Sequence, residues 1–138
     1  MIQIIVVTHG RLAIELINTT ELIVGRQADL SPVCLEMHEG IEDLTRKLTS
    51  VIKPPEQPGG GCLALVDMFG GTPSNVALAL TRDYPHLQVV TGVSLPMLIE
   101  AVTHRSLMNL AQITDFVKDK GKKAVLHANE FLHWSSET

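Results

Sequence analysis

A histidine and an aspartate, each placed directly after an apolar run, are the residues here that could do chemistry together. His9 follows Ile2-Gln3-Ile4-Ile5-Val6-Val7-Thr8 and precedes Gly10. Asp67 follows Leu63-Ala64-Leu65-Val66 and precedes Met68-Phe69-Gly70-Gly71-Thr72-Pro73. A carboxylate that accepts the Nδ1 proton of an imidazole fixes its tautomer and leaves the Nε2 lone pair pointing outward. That nitrogen can act as a base, a metal ligand or a nucleophile toward phosphorus. The surroundings decide between these. Gly10-Arg11 and Gly70-Gly71-Thr72-Pro73 both lead into helix starts, where free backbone N–H groups and the helix dipole favour an anion. The Thr72 hydroxyl can cap its helix or donate to a phosphoryl oxygen. Nucleophile, orienting carboxylate and anion cradle together point to reversible phosphorylation of His9.

Other readings fit less well. A zinc site wants three or four ligands, and only Asp67 is at hand; nothing in the spacing of His38 or His104 requires them to join it. There is no G-x-S-x-G elbow for a serine hydrolase, and no phosphate-binding loop or dinucleotide fingerprint follows a strand. Taken alone, a histidine at a strand end is more often structural; Asp67 and the Gly-Gly-Thr-Pro turn reverse that weighting. Arg11 reads as a solvated first-turn residue in preference to a phosphate contact. Asn75 reads as a helix-start residue, and Phe69 as an exposed side chain that packs the turn or touches a partner. The other five histidines are expected at the surface and the methionines in the core.

The elements that must position His9 and Asp67 follow an α/β rhythm. Residues 2–8 are a β-branched run with little alternation, the pattern of a strand buried on both faces. A helix follows up to Gly25, with Leu12, Leu16 and Ile23 at helical spacing. Residues 32–37 read as a second strand, at an edge because Pro32 cannot donate to a ladder. Residues 41–52 form an amphipathic helix with Ile41, Leu44, Leu48 and Ile52 on one stripe, and 53–61 is a Pro- and Gly-rich loop. Residues 62–67 are the third strand. Thr72 is expected as N-cap and Pro73 as first residue of a helix to about Arg82, with Ala77 and Ala79 on its packing face. Residues 87–91 are the fourth strand. Helices are expected from Ser94-Leu95-Pro96 through Val102 and over 106–119, where Gly121 breaks the second. Residues 123–127 read as a last short strand and 129–138 as a loose tail. Right-handed crossovers then give an open, mostly parallel sheet of order 2-1-3-4 with helices on both faces. Its switch point lies between strands one and three, where His9 and Asp67 end.

The 138 residues suit one domain, with 45 % hydrophobic and 19 % charged residues. A net charge of −4 argues against a general nucleic-acid binder. Cys34 and Cys62 lie within apolar runs and form no CxxC pair, as expected of reduced buried thiols in a cytosolic protein. No basic region precedes the first apolar run, and no run is long enough to span a membrane.

Three stretches carry a resemblance: Val7-Thr8-His9-Gly10, Leu65-Val66-Asp67-Met68-Phe69-Gly70-Gly71-Thr72-Pro73-Ser74-Asn75, and Thr91-Gly92-Val93-Ser94-Leu95-Pro96-Met97-Leu98-Ile99-Glu100. With their spacing they resemble the IIA component of the mannose-family sugar phosphotransferase system. The resemblance covers the chain to about residue 128, a single IIA domain followed by the tail 129–138. It implies a phosphotransferase component in which His9 accepts a phosphoryl group on Nε2 from the carrier HPr and passes it to a IIB component. Asp67 would orient the ring, Thr72 and the Gly70-Gly71 turn would contact the phosphoryl group, and Phe69 would lie on the docking surface. It implies no cofactor, no metal and no nucleic acid. It also implies a cytoplasmic homodimer that meets the membrane only through IIC and IID components. Residues 123–127 would be an antiparallel fifth strand exchanged with the partner. Arg11 receives no role from it. No IIB domain is expected to follow, which leaves a stand-alone regulatory module as the alternative: phosphorylation of His9 would control partner binding without sugar transport. The phosphotransfer subunit of dihydroxyacetone kinase is a weaker fit, because it lacks the Gly-Gly-[Ser/Thr]-Pro pattern.

Overall fold

The computed structural model describes residues 1–132. Its centre is the strand β1 (Gln3–His9), which pairs in parallel with β2 (Leu30–Leu35) on one side and β3 (Cys62–Val66) on the other. The strand β4 (Leu87–Thr91) pairs in parallel with β3, giving the expected order β2-β1-β3-β4. Successive β1 side chains serve opposite cores, which is why the run shows no alternation. Ile4 and Val6 pack with α1 (Leu12–Val24), α4 (Leu95–His104) and α5 (Leu110–Lys123). Ile5 and Val7 pack with α2 (Ile41–Val51) and α3 (Thr72–Leu80). Cys34 and Cys62 are free and buried, and burial pushes the Cys62 thiol up to about 12. No helix among the described residues is long and apolar enough to cross a membrane.

The structure corrects several expectations. Helix α1 buries Ala13, Ile17 and Thr20, leaving Leu12 and Ile23 exposed. Its face is set by its start, where the buried Thr8 hydroxyl accepts the Ala13 N–H at 2.8 Å, and small residues at 13 and 20 let the helix lie close on the sheet. Strand β2 begins at Leu30, two residues earlier than expected. Gly71, not Thr72, is the N-cap of α3, and Ala79 is exposed. Among the methionines Met97 is core, whereas Met37 and Met68 are exposed.

The C-terminal region differs most. Leu107 sits exposed in a 3-10 turn (Arg105–Leu107), and α5 then runs through Gly121 to Lys123. Gly121 lies against Met97 of α4: a Cβ there would stand 2.5 Å from the Met97 Cε and 3.6 Å from its Cβ, so the helix continues through the glycine where α5 packs on α4. Residues 123–127 form no strand: Lys123 ends α5, Val125 and Leu126 are exposed, and a short helix α6 (Ala128–Leu132) follows. The sheet has free edges on β2 and β4, and residues 124–127 pair with neither. The rest of the expected tail, 133–138, lies outside the described residues.

The buried Arg105, 2 % exposed, went unread in the sequence. Its guanidinium donates to the carbonyls of Ile2 (3.1 Å), Asp29 (2.9 Å) and Ala28, and to Gln27 Oε1 (3.3 Å). It ties the end of α4 to the starting ends of β1 and β2, away from His9. Asp29 holds a left-handed backbone at φ 48° beside it. The Lys53 ammonium, 2.6 Å from its Oδ1, keeps the Asp29 carboxyl below the usual range.

Candidate functional site

Parallel register brings the two strand ends together. Val7 is level with Val66, so one further step on each strand reaches Thr8 and Asp67, with His9 just above. The His9 backbone N–H donates to Asp67 Oδ2 at 2.9 Å, and His9 Nδ1 lies 2.8 Å from the same oxygen. Asp67 Oδ1 accepts the Met68 N–H at 3.0 Å. Three contacts thus clamp the carboxylate, whose side chain is 13 % exposed against 48 % for His9. An ionised carboxylate only accepts, so Nδ1 carries the proton and Nε2 presents its lone pair. No described residue hydrogen-bonds Nε2.

The turn after Asp67 wraps the ring. Gly70 takes φ +90°, a conformation costly for any residue with a side chain. Gly71 is extended, at φ −86° and ψ 172°, so its requirement is space. A Cβ there would stand 2.9 Å from His9 Cε1 and 3.4 Å from Nε2. Nε2 therefore faces the N-terminus of α3. The first N–H groups of that helix lack intrahelical partners. The Thr72 hydroxyl makes no side-chain cap and has no hydrogen-bond partner among the described residues, which leaves it available to an anion. A Gly71→Ala protein is expected to fold but to lose phosphate uptake at His9 by tenfold or more, on the order of the cost of overpacking a fitted site. Unchanged uptake, measured by intact mass, would show that the ring does not need this gap.

Phe69 is 75 % exposed and Met37 91 % exposed, and with Met68, Ile41 and Leu12 they add exposed apolar surface on the loops and helix starts at the His9 end of the sheet. His38 is exposed at the same end, whereas His104 sits at the far end of α4, tilted against the Phe116 ring with centroids 4.7 Å apart. Among the described residues no three His, Cys, Asp or Glu side chains converge on one point. Asn75 is exposed; its backbone N–H donates to the Gly71 carbonyl at 2.9 Å. Sequence reasoning missed Thr8, whose hydroxyl accepts the Ala13 N–H and anchors the start of α1; a hydroxyl five residues before a helical N–H was the available signal.

Comparison with known proteins shows which family this chain is similar to. The family described as the phosphotransferase system (PTS) fructose IIA component matches residues 3–118. The chain is 32 % identical over 111 residues to a PTS sorbose-specific EIIA component of Lacticaseibacillus casei, covering 80 % of this chain and 79 % of that one. It is 34 % identical over 104 residues to the PTS mannose-specific EIIAB component of Escherichia coli K12, covering 75 % of this chain but only 32 % of that longer protein. Its fold is similar to the mannose/sorbose-specific IIA subunit from Enterococcus faecalis, with a TM-score of 0.82 at 34 % identity over 91 % of this chain and 92 % of that one.

Proposed function

Since the chain belongs to the IIA family of the phosphotransferase system, with relatives among the mannose-, sorbose- and fructose-specific components, we propose that it is a phosphocarrier. In this reading His9 takes a phosphoryl group from phospho-HPr and passes it to a IIB component. The observation that carries the reading is the His9 Nδ1–Asp67 Oδ2 contact of 2.8 Å, with Nε2 facing the start of α3.

The transfer is a displacement at phosphorus. The Nε2 lone pair forms the new N–P bond while the donor's N–P bond breaks and its electron pair returns to the donor nitrogen. The His9 ring, still protonated at Nδ1, becomes cationic, and the adjacent Asp67 carboxylate stabilises that charge. Backbone N–H groups of the Gly70-Gly71-Thr72 turn and the Thr72 hydroxyl hold the phosphoryl oxygens. Transfer to IIB runs the same step in reverse. The exposed Met37, Met68 and Phe69 suit this role, because one face must dock two partners in turn and thioethers repack easily. The protein is proposed to work in the cytoplasm as a homodimer, meeting the membrane only through IIC and IID.

The test is a relay with phosphoenolpyruvate, enzyme I, HPr and this protein. One acid-labile, alkali-stable phosphate on the His9 peptide is expected, lost again on adding a cognate IIB domain. No mass gain would overturn the carrier reading; a stable label that no IIB removes would overturn its second half. Asp67→Asn is expected to slow transfer in both directions by about a hundredfold, the scale of one acid–base partner. Wild-type rates in a quench-flow measurement would remove Asp67 from the chemistry.

A further inference from the structure

We infer that Arg11 is a phosphoryl-binding residue that sets how firmly the loaded carrier holds its phosphate. The inference rests on the phosphocarrier reading of His9 and adds a group that the His9–Asp67 pair does not require. Arg11 is the N-cap of α1, with exposed surface and no side-chain hydrogen bond or ion pair among the described residues. Other cations near this end of the sheet are engaged: Arg46 with Asp43 at 2.9 Å, and Lys47 with Glu39 and the Cys34 carbonyl. Arg11 is two residues from His9, at most about 7 Å between Cα atoms in an extended chain. Gly10, at φ +55°, bends the backbone between them.

Phosphorylation changes the balance at this rim. A neutral ring nitrogen acquires a group carrying about two negative charges. A planar guanidinium with a fork of donors matches phosphoryl oxygens in pairs. An exposed arginine two residues from His9, with no side-chain partner among the described residues, gives up no contact when it turns to that group. In this reading the α3 N-terminus holds the oxygens, and Arg11, the residue that caps α1, adds a cation to them. The energy appears only in the loaded state, so it lowers the tendency of phospho-His9 to give its phosphate back.

The distinguishing measurement is the equilibrium constant for phosphate exchange with HPr, for wild type, Arg11→Ala and Arg11→Lys. An equilibrium constant depends only on the free species, so a role for Arg11 in docking alone would change rates and leave it untouched. Arg11→Ala is expected to shift the equilibrium toward phospho-HPr by roughly three- to tenfold at low salt, between an exposed ion pair and a charge-assisted hydrogen bond. The shift should shrink as salt is raised. Arg11→Lys should recover part of it, and the phosphorus NMR signal of phospho-His9 should move in Arg11→Ala. An unchanged equilibrium in Arg11→Ala, with wild type labelled normally, would overturn the inference and leave the carrier reading standing. A wild type that takes no phosphate would overturn the carrier reading and this inference with it.

Discussion

A His9→Ala protein is expected to take up no phosphate from phospho-HPr, while its thermal midpoint stays within about 2 °C of wild type. Both halves follow from the geometry. Among the described residues the imidazole is the one ring nitrogen donor that Asp67 holds, and it is 48 % exposed, so removing it leaves no cavity. Asp67 is not stranded either: the backbone N–H groups of residue 9 and Met68 still donate to it, at 2.9 and 3.0 Å in the wild type. His9→Gln makes the test sharper. Glutamine can keep a hydrogen bond to Asp67 Oδ2 yet has no ring lone pair, so it should be as inactive as alanine. Labelling of either variant at the wild-type level would move the phosphate elsewhere. His38, exposed at the same end of the sheet, would be the first residue to examine.

The parts of this protein that were readable in its sequence are those governed by short-range pattern. Unbroken β-branched runs identified doubly buried strands, and the crossover rule then ordered them, which brought His9 and Asp67 to one switch point without any contact information. Gly70 and Gly71 read as a turn that approaches an anion; in the structure a Cβ on Gly71 would meet the His9 ring, and Gly70 supplies the positive φ of the turn. The misreadings arose where tertiary contacts outvote pattern. The stripe through Leu12, Leu16 and Ile23 looked more apolar than the one through Ala13, Ile17 and Thr20. The helix buries the second because the Thr8 hydroxyl and the exit from Gly10 fix its rotation. Gly121 looked like a stop, and becomes a packing site once Met97 is beside it. The segment 123–127 has strand-forming residues, but pairing is a property of two strands, and sequence pattern names only one.

Arg105 was the least legible residue of all, and its removal should cost the most stability. A lone arginine after a helix reads as solvated surface, since charged side chains are rarely buried without a partner. Here the partners are mainly main-chain carbonyls, contributed by segments 76 to 103 residues away, which no local pattern reveals. Arg105→Ala would leave the carbonyls of Ile2 and Ala28 short of a donor, while the Asp29 carbonyl keeps the Ile4 N–H at 3.0 Å, and would open a void beneath the 3-10 turn. A loss of about 3–5 kcal/mol is expected, the scale for breaking a buried charge network. That is a large part of the ~5–15 kcal/mol that holds a domain together. Arg105→Met separates the causes, because it restores volume without donors: if hydrogen bonding dominates, it should recover less than half of the loss. Urea denaturation is the appropriate measurement, with the midpoint falling and the slope unchanged. A loss under about 1 kcal/mol for Arg105→Ala would mean that water replaces the guanidinium and that the clamp is dispensable. Because the clamp grips the starting ends of β1 and β2, folded Arg105→Met should still accept phosphate at His9. The sheet thus separates the two tasks by strand direction, stability at one end and chemistry at the other, and the paired measurement on this variant tests that separation.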